Sequence, residues 1–422
     1  MPSITIKEQE YAPIITFNAT ETIAYVPGMK NGGTAIVGKP VLVRNVNDFE
    51  KLFGASPRVI AEETSEQLAE YDRSYIFAKQ LISVGMPIIY EVVPKHVAKG
   101  LSNEEATTRE EVEETLADEA FWDKLNDRAL YNIRFITSGG YNAIKTTGAG
   151  AEAIATNMTK LAAKRGDSLA LLDIPKSVTT IEQINTIFNS PSSFTVGLDG
   201  EYAQAIVPWG RFTITVNVGV AKDEDSTDST WAMPGSFAYL LAYARMIENY
   251  STWFATAGIT RGIVPLLVEP LAEYGELAIN NIQSRDDGKF AINPICFVNP
   301  YGYRLYGNRT LKQNDGDLKA QSFVNVRNLC SDLKKTLYQL CKKLTFEQNS
   351  SILWANFRAG IRPLLDRMKS GQGIRAYKIE KVETGQKGAL AVKITISCIE
   401  AVEDFTIDLV LQDFEETEIT EA

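Results

Sequence analysis

Tyr75-Ile76-Phe77-Ala78-Lys79-Gln80-Leu81-Ile82-Ser83-Val84-Gly85-Met86-Pro87-Ile88-Ile89-Tyr90-Glu91-Val92-Val93 carries two periodicities in one short stretch. From Arg73 onward, Ile76, Phe77, Leu81 and Val84 keep helical spacing, and Gly85 supplies a stop. After Pro87 the run Ile88 to Val93 is almost continuously apolar and is closed by Pro94, the pattern of a strand buried on both faces. Upstream, Ile23-Ala24-Tyr25-Val26-Pro27-Gly28 reads as a strand entering a turn. Strand, helix, strand is an α/β unit.

A second such unit follows: strand Asn132 to Thr137, helix about Ala151 to Lys164, strand Ser168 to Asp173 ending at Pro175. Between the first strand and the quoted stretch, two short apolar runs, Thr34 to Val37 and Val41 to Val43, are split by Gly38 and Pro40. Asn47 is the expected N-cap of a short helix, Asp48 to Phe53, stopped by Gly54. Residues 100–128 are rich in glutamate (Glu104, Glu105, Glu110, Glu111, Glu113, Glu114) and read as a solvent-exposed insertion. Phe237 to Asn249 is helical in pattern.

The C-terminal third changes character. Val326, Leu329, Cys330, Leu333, Leu337, Leu340, Cys341 and Leu344 form one stripe along a helix Val324 to Leu344, which makes Cys330 and Cys341 small core residues. A second helix, Ser351 to Lys369, carries Leu353, Phe357, Ile361, Leu364, Leu365 and Met368, with Pro363 expected to kink it. Two alternating segments end the chain. Val392, Ile394, Ile396 and Cys398 share one face of the first; Phe405, Ile407, Leu409 and Leu411 share one face of the second. The last segment either pairs with its own sheet or reaches a neighbouring molecule by strand addition. Residues 1–20, with Ile4 and Ile6 in an alternating stretch, read as an extended arm too poor in apolar residues to form a core.

The totals narrow the chemistry. Among 422 residues there is one histidine, His96, read as a solvated loop residue, and four cysteines without C-x-x-C spacing. No pair of imidazoles exists for a metal, and no cofactor is expected. No stretch of ~18 consecutive apolar residues marks a membrane span. The net charge of −10 is segregated: residues 301–393 hold 18 Lys/Arg against 7 Asp/Glu, whereas residues 394–422 hold nine acidic and no basic residues. Such adjacent opposite blocks either neutralise each other within one domain or meet across an interface. Arg358, Arg362, Arg367 and Lys369 cluster on the second helix, and the acidic total favours a protein partner over nucleic acid. Gly148-Ala149-Gly150 lacks the third glycine of a dinucleotide loop, and Asp315-Gly316-Asp317 lacks the glutamate that closes a calcium loop.

Taken in order, several stretches resemble the sheath proteins of contractile tails, the family of myophage and R-type pyocin sheaths. They are Thr34 to Gly38, Pro40 to Gly54, Tyr75 to Val93, Leu171-Leu172-Asp173-Ile174-Pro175 and Met233 to Arg245. The C-terminal third is most similar: Gly302 to Leu311, containing Gly307-Asn308-Arg309-Thr310-Leu311, then Phe323 to Leu329 and Ser351 to Arg358. Tyr306 stands where the family has tryptophan. The resemblance implies an α/β (α+β) multidomain fold: an inner domain, an inserted outer α/β domain, and exchange arms at both ends. On this chain that gives an arm 1–21, an outer region 22–264, an inner domain 265–403 and an arm 404–422.

It further implies a structural protein rather than an enzyme. Such proteins stack as rings, hexameric in the family, around a tail tube and contract to drive it through a target envelope. The implied partners are further copies of the chain, the tube protein, and baseplate and terminator proteins, without membrane insertion or direct contact with nucleic acid. The implied location is the virion tail, assembled in the bacterial cytoplasm. Ile4, Ile6, Phe405, Ile407, Leu409 and Leu411 would then bury their apolar faces in a neighbour, and the four basic residues would face the tube. Two alternatives stay open: another self-assembling tail component, such as a tube or baseplate protein, and a nucleotide-binding α/β enzyme.

Overall fold

Ala24–Gly28 is the strand around which the body is laid. In the computed structural model, which describes residues 21–60, 70–97, 100–141, 153–189, 200–217, 230–275, 282, 290–312, 319–382, 390–399 and 401, it pairs in parallel with Ile88–Val92 on one side and Phe135–Ile136 on the other. From edge to edge the sheet runs Gly302–Leu305, Asn293–Val298, Ala203–Val207, Leu169–Leu172, Phe135–Ile136, Ala24–Gly28, Ile88–Val92, Val41–Val43. The six inner strands are parallel, and the two edge strands run antiparallel to their neighbours.

Period-two alternation sends successive side chains to two cores. Tyr25, Ile89, Ile136, Ala170, Leu172 and Ala205 enter one, under helices Arg109–Ala117, Glu119–Asp123, Ala153–Arg165 and Ile181–Asn189. Ala24, Val26, Ile88, Tyr90, Phe135 and Leu171 enter the other, under Val46–Phe53, Arg73–Ser83 and Gly235–Asn249. A parallel sheet covered on both faces explains why its strands read as nearly unbroken apolar runs.

Local chemistry sets the ends. Asp72 caps Arg73–Ser83 by accepting from the Ser74 amide, and Gly85 terminates it at φ +86°. The short helix before it starts at Val46, and its cap is Asn45, not Asn47, because the Asn45 side chain accepts from the Asp48 amide. The reading of residues 100–128 as a solvated insertion is corrected outright. Val112, Leu116, Phe121, Trp122 and Leu125 are at most 1% exposed. Glu110 and Glu114 do face solvent, but they share the helix with an apolar face that covers the sheet. His96 lies in a short strand, Pro94–Val97, paired with Gly100–Glu105, and its Nε2 is 3.6 Å from Asp118 Oδ2.

The boundary expected between residues 264 and 265 falls inside the body. Asn293–Val298 pairs with Ala203–Val207, and Gly302–Leu305 pairs with Asn293–Val298. A third core forms only beyond them. There Val324–Leu344 and Ser351–Ser370, continuous through Pro363, bury Leu329, Leu333, Leu340, Phe357, Ile361 and Leu365 around Trp253. A two-stranded antiparallel hairpin, Ile374–Val382 with Ala391–Cys398, lays Tyr377, Ile379, Val392, Ile394, Ile396 and Cys398 against this core. The shared face read for the segment ending at Cys398 is thus the half-buried one, packed against this core. Cys330 lies half-buried at the core, but Cys341 is exposed. One residue past the buried Leu340, it turns about 100° away from the packed face.

Candidate assembly surface

The resemblance placed a family motif at Gly307–Leu311, and the structure shows what those residues do locally. Asn293, in the inner edge of the sheet, accepts the Arg309 amide at its Oδ1 (2.8 Å) and donates from Nδ2 to the Arg309 carbonyl (2.8 Å). A Cβ on Gly307 would lie 2.6 Å from that same Oδ1, so only glycine admits the close approach. Asn308 exchanges bonds with Asn325 in the first turn of the long helix, at 2.8 and 3.2 Å. The Thr310 hydroxyl donates to Gln321 O, and the Leu311 amide donates to Ala203 O. The Arg309 guanidinium stacks over Phe323 at 4.8 Å. All of Asn308, Arg309, Thr310 and Leu311 are buried. They form a clamp between the sheet and the long helix, not a surface.

A second polar seam fastens the same helix, and no sequence motif flagged it. Arg134, wholly buried, forms an ion pair with Asp332, which also accepts from the Thr252 hydroxyl; Arg134 donates to the Tyr243 hydroxyl at 3.2 Å. Lys335 Nζ donates to Asn132 Oδ1 (2.7 Å) and Ile133 O (2.8 Å). Burial, and then the neighbouring Arg134 charge, push its amine well below the usual lysine range. Arg327 pairs with Glu201 at 3.2 Å and lies 4.2 Å over the Tyr202 ring. One signal was available. Asn325, Asn328, Asp332 and Lys335 recur at steps of three and four, a polar stripe beside the leucine stripe.

On the outer side, the second long helix and the hairpin strand Ile374–Val382 enclose an open groove of about 370 Å³. Arg358, Arg362 and Lys369 line one wall with Asp366; Ala376, Tyr377 and Ile379 line the other. The spacing 358, 362, 369 keeps one helix face. Arg367, nine positions past Arg358, is turned about 180° away and does not join them. The cluster expected from the sequence is therefore three residues plus one on the far face, all exposed. The Tyr377 hydroxyl donates to Asp366 Oδ1 (2.5 Å), which raises the phenol's pKa, and Arg362 lies 3.7 Å from the same carboxylate. Arg358 sits 5.8 Å over the Trp354 ring.

Beside this groove the hairpin has only two strands among the described residues. The arm residues Ile4, Ile6, Phe405, Ile407, Leu409 and Leu411 lie outside the described residues, as do Gly148-Ala149-Gly150 and Asp315-Gly316-Asp317.

The carboxyl end of the parallel sheet is where α/β folds bind ligands. Here two helix N-termini meet the chain's own carboxylates. Asp72 accepts from the Met29 amide (2.9 Å) and from the Ser74 and Tyr141 hydroxyls (2.7 and 2.9 Å). Asp173 accepts from the Ser236 amide (2.9 Å) and hydroxyl (2.7 Å). At these two helix N-termini the positions a phosphate would take are filled by the chain's own carboxylates. Among the described residues no cluster of His, Cys, Asp or Glu is placed to hold a metal, and no helix is long and apolar enough to cross a membrane.

Solved contractile-sheath subunits share this overall fold. The sheath of an extracellular contractile injection system, PVC, in its contracted state superposes with a TM-score of 0.63 over 98% of both chains, at 16% identity. The contracted helical sheath of the anti-feeding prophage gives 0.60 over 98% of this chain and 99% of that one, at 15% identity. In sequence, the chain is related to tail sheath proteins. That of Vibrio phage KVP40 is 24% identical over 236 residues, 54% of this chain and 33% of the relative. That of Enterobacteria phage T4 is 29% identical over 138 residues, 32% of this chain and 19% of the relative. The chain thus aligns to a third or less of the length of these relatives. No family model matches it.

Proposed function

We propose that the chain is a sheath subunit. It polymerises as stacked rings around a tail tube and contracts to drive the tube through a target envelope, a structural role without catalysis. The observation that carries this reading is the end-to-end agreement with sheath subunits, over 98% of each chain. In this reading the eight-stranded body is the outward part, the helix pair and hairpin are the inner part, and segments 1–21 and 404–422 are exchange arms.

The hairpin supports the exchange step. A two-stranded ribbon packed on one face has edges that accept further strands. Each backbone hydrogen bond nets only ~0.5–1.5 kcal/mol, yet several per arm, repeated around a ring, make a mesh that survives large rotations. Contacts that repeat head-to-tail without closing give a helical tube. Arg358, Arg362 and Lys369 then face an acidic tube surface. Charges exposed to solvent act within a Debye length of ~8 Å, so they hold the tube while subunits are close and release it when subunits move outward. Arg367, on the far helix face, serves a different contact. Baseplate and terminator proteins would cap the two ends, in a tail assembled within the bacterial cytoplasm.

Negative-stain imaging of the purified protein tests the reading: long hollow helical tubes are expected, and discrete particles alone would overturn it. Deleting residues 404–422 should leave a folded, soluble subunit that forms no tubes. Replacing Arg358 and Arg362 by glutamate should lower the fraction of sheath assembled on tube.

A further inference from the structure

The cationic groove beside the hairpin has a fitting occupant in the chain itself. Arg358, Arg362 and Lys369 form one wall, and the apolar Ala376 and Ile379 belong to the other. The single acid in the lining, Asp366, is already engaged by the Tyr377 hydroxyl and by Arg362. The chain leaves the hairpin at this end: Cys398 is paired with Ile374, and the Ile399 amide donates to Gly373 O at 3.3 Å. Gly373 is four residues past Lys369, and its amide donates to Met368 O at 2.8 Å, so Ile399 lies near the end of the groove that Lys369 lines. The segment 402–422 contains eight acidic residues and no basic one. Within it Asp404, Thr406 and Asp408 alternate with Phe405, Ile407 and Leu409.

We propose that in the free subunit residues 404–411 lie in this groove of the same chain, with Asp404 toward Lys369 and Asp408 toward Arg362 and Arg358. Transfer of the segment to a neighbouring subunit then uncovers the basic face. The dimensions agree. Lys369 to Arg362 is seven helical residues, about 10 Å, and Asp404 to Asp408 is four extended residues, about 13 Å. Alternation sends the carboxylates to the helix wall and the apolar residues to the hairpin wall, so both walls are matched at once. The uncovering step rests on the sheath reading. Given that reading, only incorporated subunits present the cations to an acidic partner, because the same guanidinium groups cannot serve the segment and the partner together.

The test uses the full chain, dilute and before assembly, with exposed Cys341 replaced by serine. Ala376→Cys with Ile407→Cys keeps every charge and spans the hairpin wall; Arg367→Cys with Ile407→Cys is the far-face control. An intrachain disulfide, read by mass after proteolysis, should form about tenfold faster in the first pair than in the second. The advantage should shrink in about 1 M NaCl, where the Debye length falls to about 3 Å. Adding Arg358→Glu and Arg362→Glu should shrink it as well. Equal rates for the two pairs overturn the occupancy. Disulfides only between chains, rising with concentration, overturn the same-chain assignment in favour of a second copy's segment. Tube formation is scored separately: loss of tubes with the intrachain disulfide intact counts against the sheath reading alone.

Discussion

The body and the C-terminal module solve burial in opposite ways. In the body, every residue of Ala24–Gly28, Ile88–Val92 and Ala203–Val207 is buried, because helices cover both faces of the sheet. In the module, Ala391–Cys398 alternates half-buried and exposed residues along most of its length, because the helix pair covers one face only. Open edges and an open face are costly features for a monomer to keep. Among the described residues the body is thus covered on both faces, whereas the module ends in a two-stranded ribbon covered on one face, the arrangement that the proposed strand exchange would complete.

The seam between the two regions offers the largest effect. Asp332→Ala leaves the buried Arg134 guanidinium without its carboxylate, and loss of a buried pair's partner costs about 3–5 kcal/mol. Chemical denaturation should show the helix pair released ahead of the sheet; an unchanged midpoint would break the idea that this pair fastens the module. Within the module, Ile361→Ala empties a fully buried site and should cost about 2–4 kcal/mol. If the two regions are as separate as their cores suggest, the loss appears in one transition of a two-step melt and spares the other.

The body's own sensitivity is to pH. Burial raises the Asp173 carboxyl from 3.8 to about 6, against the opposing bonds from Ser236 and Ser138. The folded chain therefore holds this proton more tightly than the unfolded chain does. Its stabilising contribution is complete below the unfolded value and is lost as pH rises through about 6. The total is on the order of 2–3 kcal/mol. Asp173→Asn should flatten that slope in denaturation curves taken between pH 4 and 7, with the module's transition unmoved. The smallest effect on stability, within ~0.5 kcal/mol, is expected for Arg362→Glu and for Arg367→Glu, both at exposed positions. They should nonetheless differ in assembly on tube, with Arg362→Glu the weaker. Equal losses would mean that the groove face is not the one that matters.

Particular residues show how far the sequence could be read. The strand Ile88–Val92, the helix Arg73–Ser83 and the 21-residue helix Val324–Leu344 fall where periodicity placed them. Each has a strong pattern and a local stop. Residues 100–128 misled because glutamates that face solvent are interleaved with the apolar residues they conceal, among them Trp122. Of the basic cluster, the helical frame alone was enough to separate Arg367 from Arg358, Arg362 and Lys369. That Tyr377 and Asp366 close the groove was not legible, since the hairpin is brought there by packing.

By itself the sequence determined the α/β units, the long C-terminal helices, the segregation of charge and the order of motifs that resembles a sheath protein. Those depend on neighbours three, four or two residues apart and on local caps. The tertiary structure alone decided that the sheet continues past residue 264, that Gly307–Leu311 is a buried clamp, and that Arg134 meets Asp332. Each of these joins residues far apart in the chain through desolvated contacts, and no local spacing encodes which partner a buried charge or a sheet edge will find.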